Sequence, residues 1–318
     1  MKTLLIYNPN AGTKRRMWSW KKPYTLEDIK NLFIQYQIEV DYEATKKAGD
    51  AIVLVKKAVK KGYELVIAAG GDGTISEVAS GLIDTEVNLG ILPLGSMMNT
   101  AWMLAIPKNL EMAVAIIKIG RVRKIDVGVI TKMNDERLSK PHYFLENAGL
   151  GLEAKLQKRM LDLENKRTRN PLRLIKAFFD YYHYKTTVII DESELKVRSP
   201  LIEVSNGSRT GAAWMVAPDA KLNDHKLTVS VFRMDVGQIV SYFIGVKMSG
   251  KFRSKKIKRY QGSIVKIVTK LPKLIHADGR VFGKTPVEFR VKPNALNVIT
   301  GFPADKEQAL SPRTRLDP

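Results

Sequence analysis

The hydrophobic pattern changes character partway along the chain. In the first part, apolar runs alternate with stretches of helical spacing. Residues 3–7, 64–69 and the run from 89 to the Gly95-Ser96 turn are continuous apolar segments of the length that makes a buried strand, and 38–42 predicts another. Helical spacing occupies 25–36, 48–61, 75–82 and 110–119. Thr25, followed by Glu27 and Asp28, reads as a helix start, and Thr45 is placed to cap the helix over 48–61. Strand, turn and helix in succession predict a doubly wound parallel sheet with its ligand at the carboxyl ends of the strands.

Beyond residue 129 the rhythm becomes that of many short strands divided by turns, at 187–191, 195–197, 201–205, 227–232, 263–269, 287–291 and 296–300, which predicts an antiparallel sandwich. A helical stretch over 156–185 interleaves Arg and Lys with Leu172, Leu174, Ile175, Phe178 and Phe179. The expected organisation is therefore an α/β domain over 1–129, a β-sandwich domain over 130–303 and a loosely held tail over 304–318.

Composition narrows the classes. The chain has no cysteine, so neither a disulfide framework nor a thiolate metal site is available, which fits a reducing cytoplasm. No run of about 18 apolar residues predicts a membrane span. The formal charge of +21 attracts polyanions, nucleic acid or an anionic membrane surface, without choosing between them. The stretch over 240–260 joins Tyr242, Phe243, Ile244, Met248 and Phe252 to Lys251, Lys255, Lys256, Lys258 and Arg259. It either rests on lipid headgroups or packs on the sandwich with its lysines in water.

The candidate chemistry centres on Gly70-Gly71-Asp72-Gly73-Thr74, between a buried strand and a helix. Its glycines allow close backbone approach, and the helix would aim its first amides at an anion, so the loop suits phosphate. Asp72 would repel bare phosphate, which points to a magnesium-bound nucleotide with Asp72 as an exposed loop carboxylate. An ordinary glycine-rich turn is the bland alternative.

This loop, with Glu77 after it, resembles the GGDGT nucleotide signature of the diacylglycerol kinase catalytic domain, and the similarity runs along most of the chain. The resemblance implies a bacterial-type soluble lipid kinase that uses ATP and Mg2+ to phosphorylate the hydroxyl of a diacylglycerol-like lipid. It places the Asn8-Pro9-Asn10-Ala11-Gly12 turn near the nucleotide phosphates and makes Thr45 a nucleotide contact as well as a helix cap. The segment Pro93-Leu94-Gly95-Ser96 is similar to the family's Pro-x-Gly-Thr, with Ser96 for threonine, and Met97-Met98 line the cleft or fill the core.

Two further segments carry the family's other motifs. One holds Asp224, which the resemblance makes a magnesium ligand together with the main-chain carbonyls of Lys221 and Lys226. The other is His276-Ala277-Asp278-Gly279-Arg280, similar to an Asp-Gly-Glu motif whose carboxylates activate the acceptor hydroxyl. Arg280 replaces the glutamate and cannot accept a proton, which leaves Asp278 as the base. The implied partner is a lipid at an anionic membrane surface, with the protein cytoplasmic and peripheral to the membrane, and a homodimer is left open. The rival readings are a NAD kinase-like phosphotransferase and a catalytically lapsed polyanion binder. Nucleic acid is disfavoured because no recognition signature for it is present.

Overall fold

A computed structural model provides the structure of the protein, described over residues 1–12, 24–133, 141–151, 184–210, 214–249 and 254–301. The expected helix over 156–185 lies outside the described residues as far as 183, and its last two residues, Tyr184 and Lys185, open a strand instead; Lys14 to Lys22, Lys251, Phe252 and the tail from 304 also lie outside the described residues. The chain divides into two compact units. One takes Met1–Asp126 and the chain again from Pro293; the other takes Val127–Lys292.

In the first unit, strands β1 (Thr3–Tyr7), β2 (Asp41–Ala44), β3 (Leu65–Gly70) and β4 (Asn88–Pro93) lie in the order β2-β1-β3-β4, all parallel. β3 is buried along its whole length, which is why it reads as an unbroken apolar run. The helices are α1 (Leu26–Gln35), α2 (Asp50–Lys60), α3 (Asp72–Leu82), α4 (Asn99–Met103) and α5 (Leu110–Ile119), with α2 packed on α3 and α1 on α5. The expected start of α1 is present. The Thr25 hydroxyl accepts the Asp28 amide, and the Asp28 carboxylate takes the Thr25 amide.

Thr45 does not cap α2. The helix begins five residues later, after Gly49 in a left-handed conformation, and Asp50 gathers the amides of Lys46 and Lys47 at 2.9 and 3.0 Å. Those bonds hold the Asp50 carboxyl below the usual carboxylate range.

The second unit is the expected antiparallel sandwich. One sheet has the order β14-β13-β10-β7-β16-β17, from β7 (Asn147–Gly151), β10 (Leu201–Ser205), β13 (Leu227–Phe232), β14 (Ile257–Gly262), β16 (Leu274–Ala277) and β17 (Arg280–Lys284). The other pairs the start of β18 (Val287–Ile299) with β15 (Ile264–Thr269), then β8 (Tyr184–Ile190) and β9 (Ser193–Ser199). Two further antiparallel pairs are β5 (Val122–Lys132) with β6 (His142–Phe144) and β11 (Arg209–Thr210) with β12 (Trp214–Met215). Ile202, Val204, Val229 and Ile275 from the first sheet meet Val188, Val265, Ile267 and Phe289 from the second in one core.

Three expectations change. The segments 287–291 and 296–300 are one strand, β18, and its far end belongs to the first unit rather than to a domain running to 303. There Val298 pairs in parallel with Leu89, and the fully buried Asp126 accepts the Asn294 amide at 2.9 Å. The stretch 240–260 is not one surface element. It divides into a helix, α6 (Val236–Ser249), and β14, where Ile257 is buried and Arg259 turns in to donate to the Val216 carbonyl at 3.2 Å. Finally, β16 and β17 form a hairpin around Asp278 and Gly279 that the pattern did not announce.

Candidate functional site

In the first unit, the sequence-predicted nucleotide residues gather at the carboxyl ends of the parallel strands. The chain leaves β1 toward β2 on one side and leaves β3 toward β4 on the other. The loops after β1 and β3 therefore diverge at the topological switch point, where open α/β sheets bind ligands. Asn8 joins these two loops: its side-chain amide donates to the Thr74 hydroxyl at 2.9 Å, and its Oδ1 accepts the Asn10 amide at 3.0 Å.

Missing side chains bring the loops together. A Cβ on Gly95 would lie 2.6 Å from the Gly71 Cα, and one on Gly70 would lie 2.5 Å from the Thr74 Cβ. Gly12, at φ +75°, would put a Cβ 2.8 Å from the Leu94 carbonyl oxygen. The β1, β3 and β4 loops thus touch backbone to backbone, and the first amides of α3 emerge at their junction. This arrangement suits a phosphate chain.

Asp72 has a different setting from the exposed one expected. Half-buried, its carboxylate accepts the amides of Met98 at 2.8 Å and Thr100 at 3.3 Å. It caps α4 from across the site, because the residue at the cap position, Met98, has a left-handed backbone and no capping oxygen. Of the two methionines, only Met98 fills the core. Met98 is buried, with its sulfur accepting the Gly95 amide, whereas Met97 is exposed beside the exposed Ser96.

Thr45 is buried at the end of β2, its amide bonded to the Tyr7 carbonyl. Glu77 is buried behind the loops and accepts the Gly49 amide at 3.0 Å, a brace between α3 and the turn before α2. Sequence reasoning missed Lys108, whose ammonium reaches the Ser96 carbonyl at 3.1 Å and brings a cation to the β4 loop. It is twelve residues from Ser96 in sequence, and no motif marks it.

In the second unit, Asp278 sits in the β16–β17 turn with φ +41°, followed by Gly279 at φ +74°. Its carboxylate accepts the Leu145 amide at 2.8 Å and the Glu146 amide at 2.9 Å, while its own amide donates to the Asn147 carbonyl at 2.9 Å. Arg280 is exposed at the start of β17.

Asp224 turns its own loop, accepting the Lys226 amide at 3.2 Å, with His225 at φ +59°. Lys221 and Lys226 are exposed there. Among the described residues no three His, Cys, Asp or Glu side chains gather at metal-binding spacing. The donors at this turn are one carboxylate and main-chain carbonyls, an all-oxygen set that fits a hard, partly hydrated cation such as magnesium.

The sequence also gave no sign of the buried polar row beside Asp278, formed by Glu203, His276 and Asn147 with Asn206 close by. Elsewhere in this unit, burial lowers the pKa of the Arg209 guanidinium to about 10.

Comparison with known proteins accounts for both units. The Diacylglycerol kinase catalytic domain matches residues 2–130, and the YegS C-terminal NAD kinase beta sandwich-like domain matches residues 147–300. A diacylglycerol kinase of Bacillus subtilis is 26% identical over 318 residues, covering 96% of this chain and 98% of its own. One from Staphylococcus haemolyticus is 26% identical over 313 residues, covering 93% and 87%. The crystal structure of a diacylglycerol kinase from Bacillus anthracis superposes with a TM-score of 0.69 at 21% identity, covering 94% of this chain and 97% of that one, and shares the fold.

Proposed function

Since the chain belongs to the diacylglycerol kinase family, we propose that it is an ATP-dependent kinase transferring the γ-phosphoryl group to the hydroxyl of a diacylglycerol-like lipid. The observation that carries this reading is the junction of the β1, β3 and β4 loops, closed by glycines and by the Asn8–Thr74 bond at the switch point. Phosphoryl transfer asks for positioning and charge neutralisation more than for covalent chemistry from the protein. The first amides of α3, Thr74 and Ser96 hold the phosphates, with Asn8, Asn10 and Gly12 shaping the loop beside them. Asp72 and Glu77 keep these loops in place from behind. Asp278 orients the acceptor hydroxyl and accepts its proton, and the exposed Arg280 neutralises charge on the phosphoryl group in transfer. The nucleotide would bring magnesium to neutralise phosphate charge, and the Asp224 carboxylate with the Lys221 and Lys226 main-chain carbonyls would hold a magnesium at their own turn.

The lipid is met at an anionic membrane surface, a reading supported by the +21 charge and by exposed Lys255, Lys256 and Lys258. No helix among the described residues is long and apolar enough to cross a membrane. A NAD kinase-like activity is the second reading, favoured by the likeness of the sandwich to that of NAD kinase. Incubation with γ-labelled ATP against a panel of lipids, NAD and lipid-free buffer separates the two. Label in a lipid phosphate is expected; label in NAD, or in no acceptor, refutes the lipid-kinase reading.

A further inference from the structure

The β-sandwich unit holds a buried ionisable pair that neither the sequence motifs nor the proposed transfer uses. Glu203 on β10 and His276 on β16 are 1% and 0% exposed, and Glu203 Oε1 lies 3.2 Å from His276 Nε2. The two strands are not neighbours; β7 runs between them, with Gly149 opposite both residues. A Cβ at 149 would fall 2.8 Å from Glu203 Oε2, so the glycine opens the path by which the carboxylate crosses β7 to the imidazole. The other carboxylate oxygen takes the Asn147 side-chain amide at 2.6 Å.

From there the bonds lead to Asp278. The Asn147 carbonyl receives the Asp278 amide, and the two residues before Asn147 give both of their amides to the Asp278 carboxylate. Asn206 holds the far side of this segment. Its side chain donates to the Leu145 carbonyl at 3.1 Å, and its amide to the Glu146 carbonyl at 3.0 Å. Asp278 itself keeps a left-handed backbone that a non-glycine residue sustains only when its surroundings enforce it. A buried carboxylate is tolerable only if paired, and the Glu203–His276 contact across β7 provides that pairing and ties β10, β7 and β16 together.

We propose that Glu203 and His276, acting through Asn147, are positioning residues that set the orientation of the Asp278 carboxylate. With arginine at position 280, Asp278 is the only carboxylate of its motif, and its aim has to come from the sheet behind it. The catalytic half of this inference rests on Asp278 serving the acceptor hydroxyl, as proposed above; the positioning half does not.

The test combines exchange and kinetics in the full chain. In Glu203→Ala, hydrogen exchange at the Leu145 and Glu146 amides should accelerate as it does in Asp278→Asn, while exchange in β3 stays as in wild type. In the same variant kcat for lipid phosphorylation should fall about 100-fold, the scale of an ångström-sized misplacement, with the KM for ATP unchanged. Glu203→Gln should recover most of that loss, because an amide can accept from Asn147 and donate to a neutral imidazole. In an Asp278→Asn background, Glu203→Ala should add little further loss, since it acts through the same group.

Unchanged exchange at both amides in Glu203→Ala overturns the positioning role, whatever the activity. Full additivity of the two kinetic effects overturns it as well. If wild type phosphorylates no lipid at all, the functional reading fails while the exchange result still decides the inference. Should Glu203→Ala not fold, Asn147→Ala breaks the same relay without stranding a buried charge, and the same exchange and double-variant criteria apply.

Discussion

Replacing Asp72 by alanine gives the strongest test of how the nucleotide end is built. The carboxylate closes two amides of α4, at 2.8 and 3.3 Å, and Met98 and Thr100, which donate them, are both almost wholly buried. Removing a helix-capping oxygen costs about 0.5–2 kcal/mol, and leaving a buried amide unsatisfied costs about 1–3 kcal/mol. Because the 3.3 Å bond is weak, the combined loss should be about 2–3 kcal/mol. With an unfolding entropy of about 2.1 cal/mol/K per residue, each kcal/mol moves the Tm of this 318-residue chain by about 1.5 °C, so a fall of about 3–5 °C is expected by circular dichroism. Nucleotide affinity, read by calorimetry with MgATP, should fall together with stability as Ser96 and the β4 loop loosen. Asp72→Asn separates the brace from a metal role. The asparagine oxygen keeps one of the two bonds, so it should retain much of the stability and affinity, whereas a role carried by the negative charge would make it as damaging as alanine. A Tm within about 1 °C of wild type in Asp72→Ala would refute the capping argument.

Four other outcomes follow from particular contacts. Gly95→Ala should destabilise by about 1–3 kcal/mol and weaken nucleotide binding, because its Cβ meets the Gly71 backbone at 2.6 Å; Gly245→Ala, in α6 where an added Cβ meets no described residue within 4 Å, should be neutral or slightly stabilising in the same melts. Asp278→Asn should lower lipid turnover by about 10²–10⁴ with ATP affinity nearly unchanged, and Arg280→Glu should lower turnover if the guanidinium neutralises the phosphoryl group, both read in the labelled-ATP assay. Asp191 accepts the Ser263 and Ile264 amides, which hold its carboxyl below the usual range. Its stabilisation is complete above the unfolded-chain value of about 3.9 and is lost as pH falls through the lower folded value, so Tm between pH 5 and pH 2 should fall less in Asp191→Asn than in wild type. Neutralising the exposed Lys255, Lys256 and Lys258 should weaken sedimentation with anionic vesicles at low salt, where screening is weakest; equal binding by variant and wild type would remove these lysines from the membrane role.

What the sequence determined by itself was whatever rests on neighbours along the chain. The capping box needs only Thr25 and Asp28, three residues apart, and it formed as the pattern requires. β3 and the glycines after it are fixed by a buried run meeting a tight turn, and the succession of short strands divided by turns fixes the sandwich class. Period and turn chemistry are local, so they survive in any fold that uses them.

Long-range partners were decided only by the tertiary structure. Asp72 is legible as a loop carboxylate, but its partners Met98 and Thr100 come from the next strand's loop, and they turn it from an exposed group into a brace. β18 looked like two strands of one domain because its pattern lapses around Pro293-Asn294; pairing with β15 at one end and β4 at the other makes it one strand serving both units. Glu203 and His276 are 73 residues apart, and each alone reads as an ordinary polar position. They meet because β7 places a glycine between their strands, and a side chain's charge state and partner are set by what lies across the sheet, which no spacing along the chain encodes.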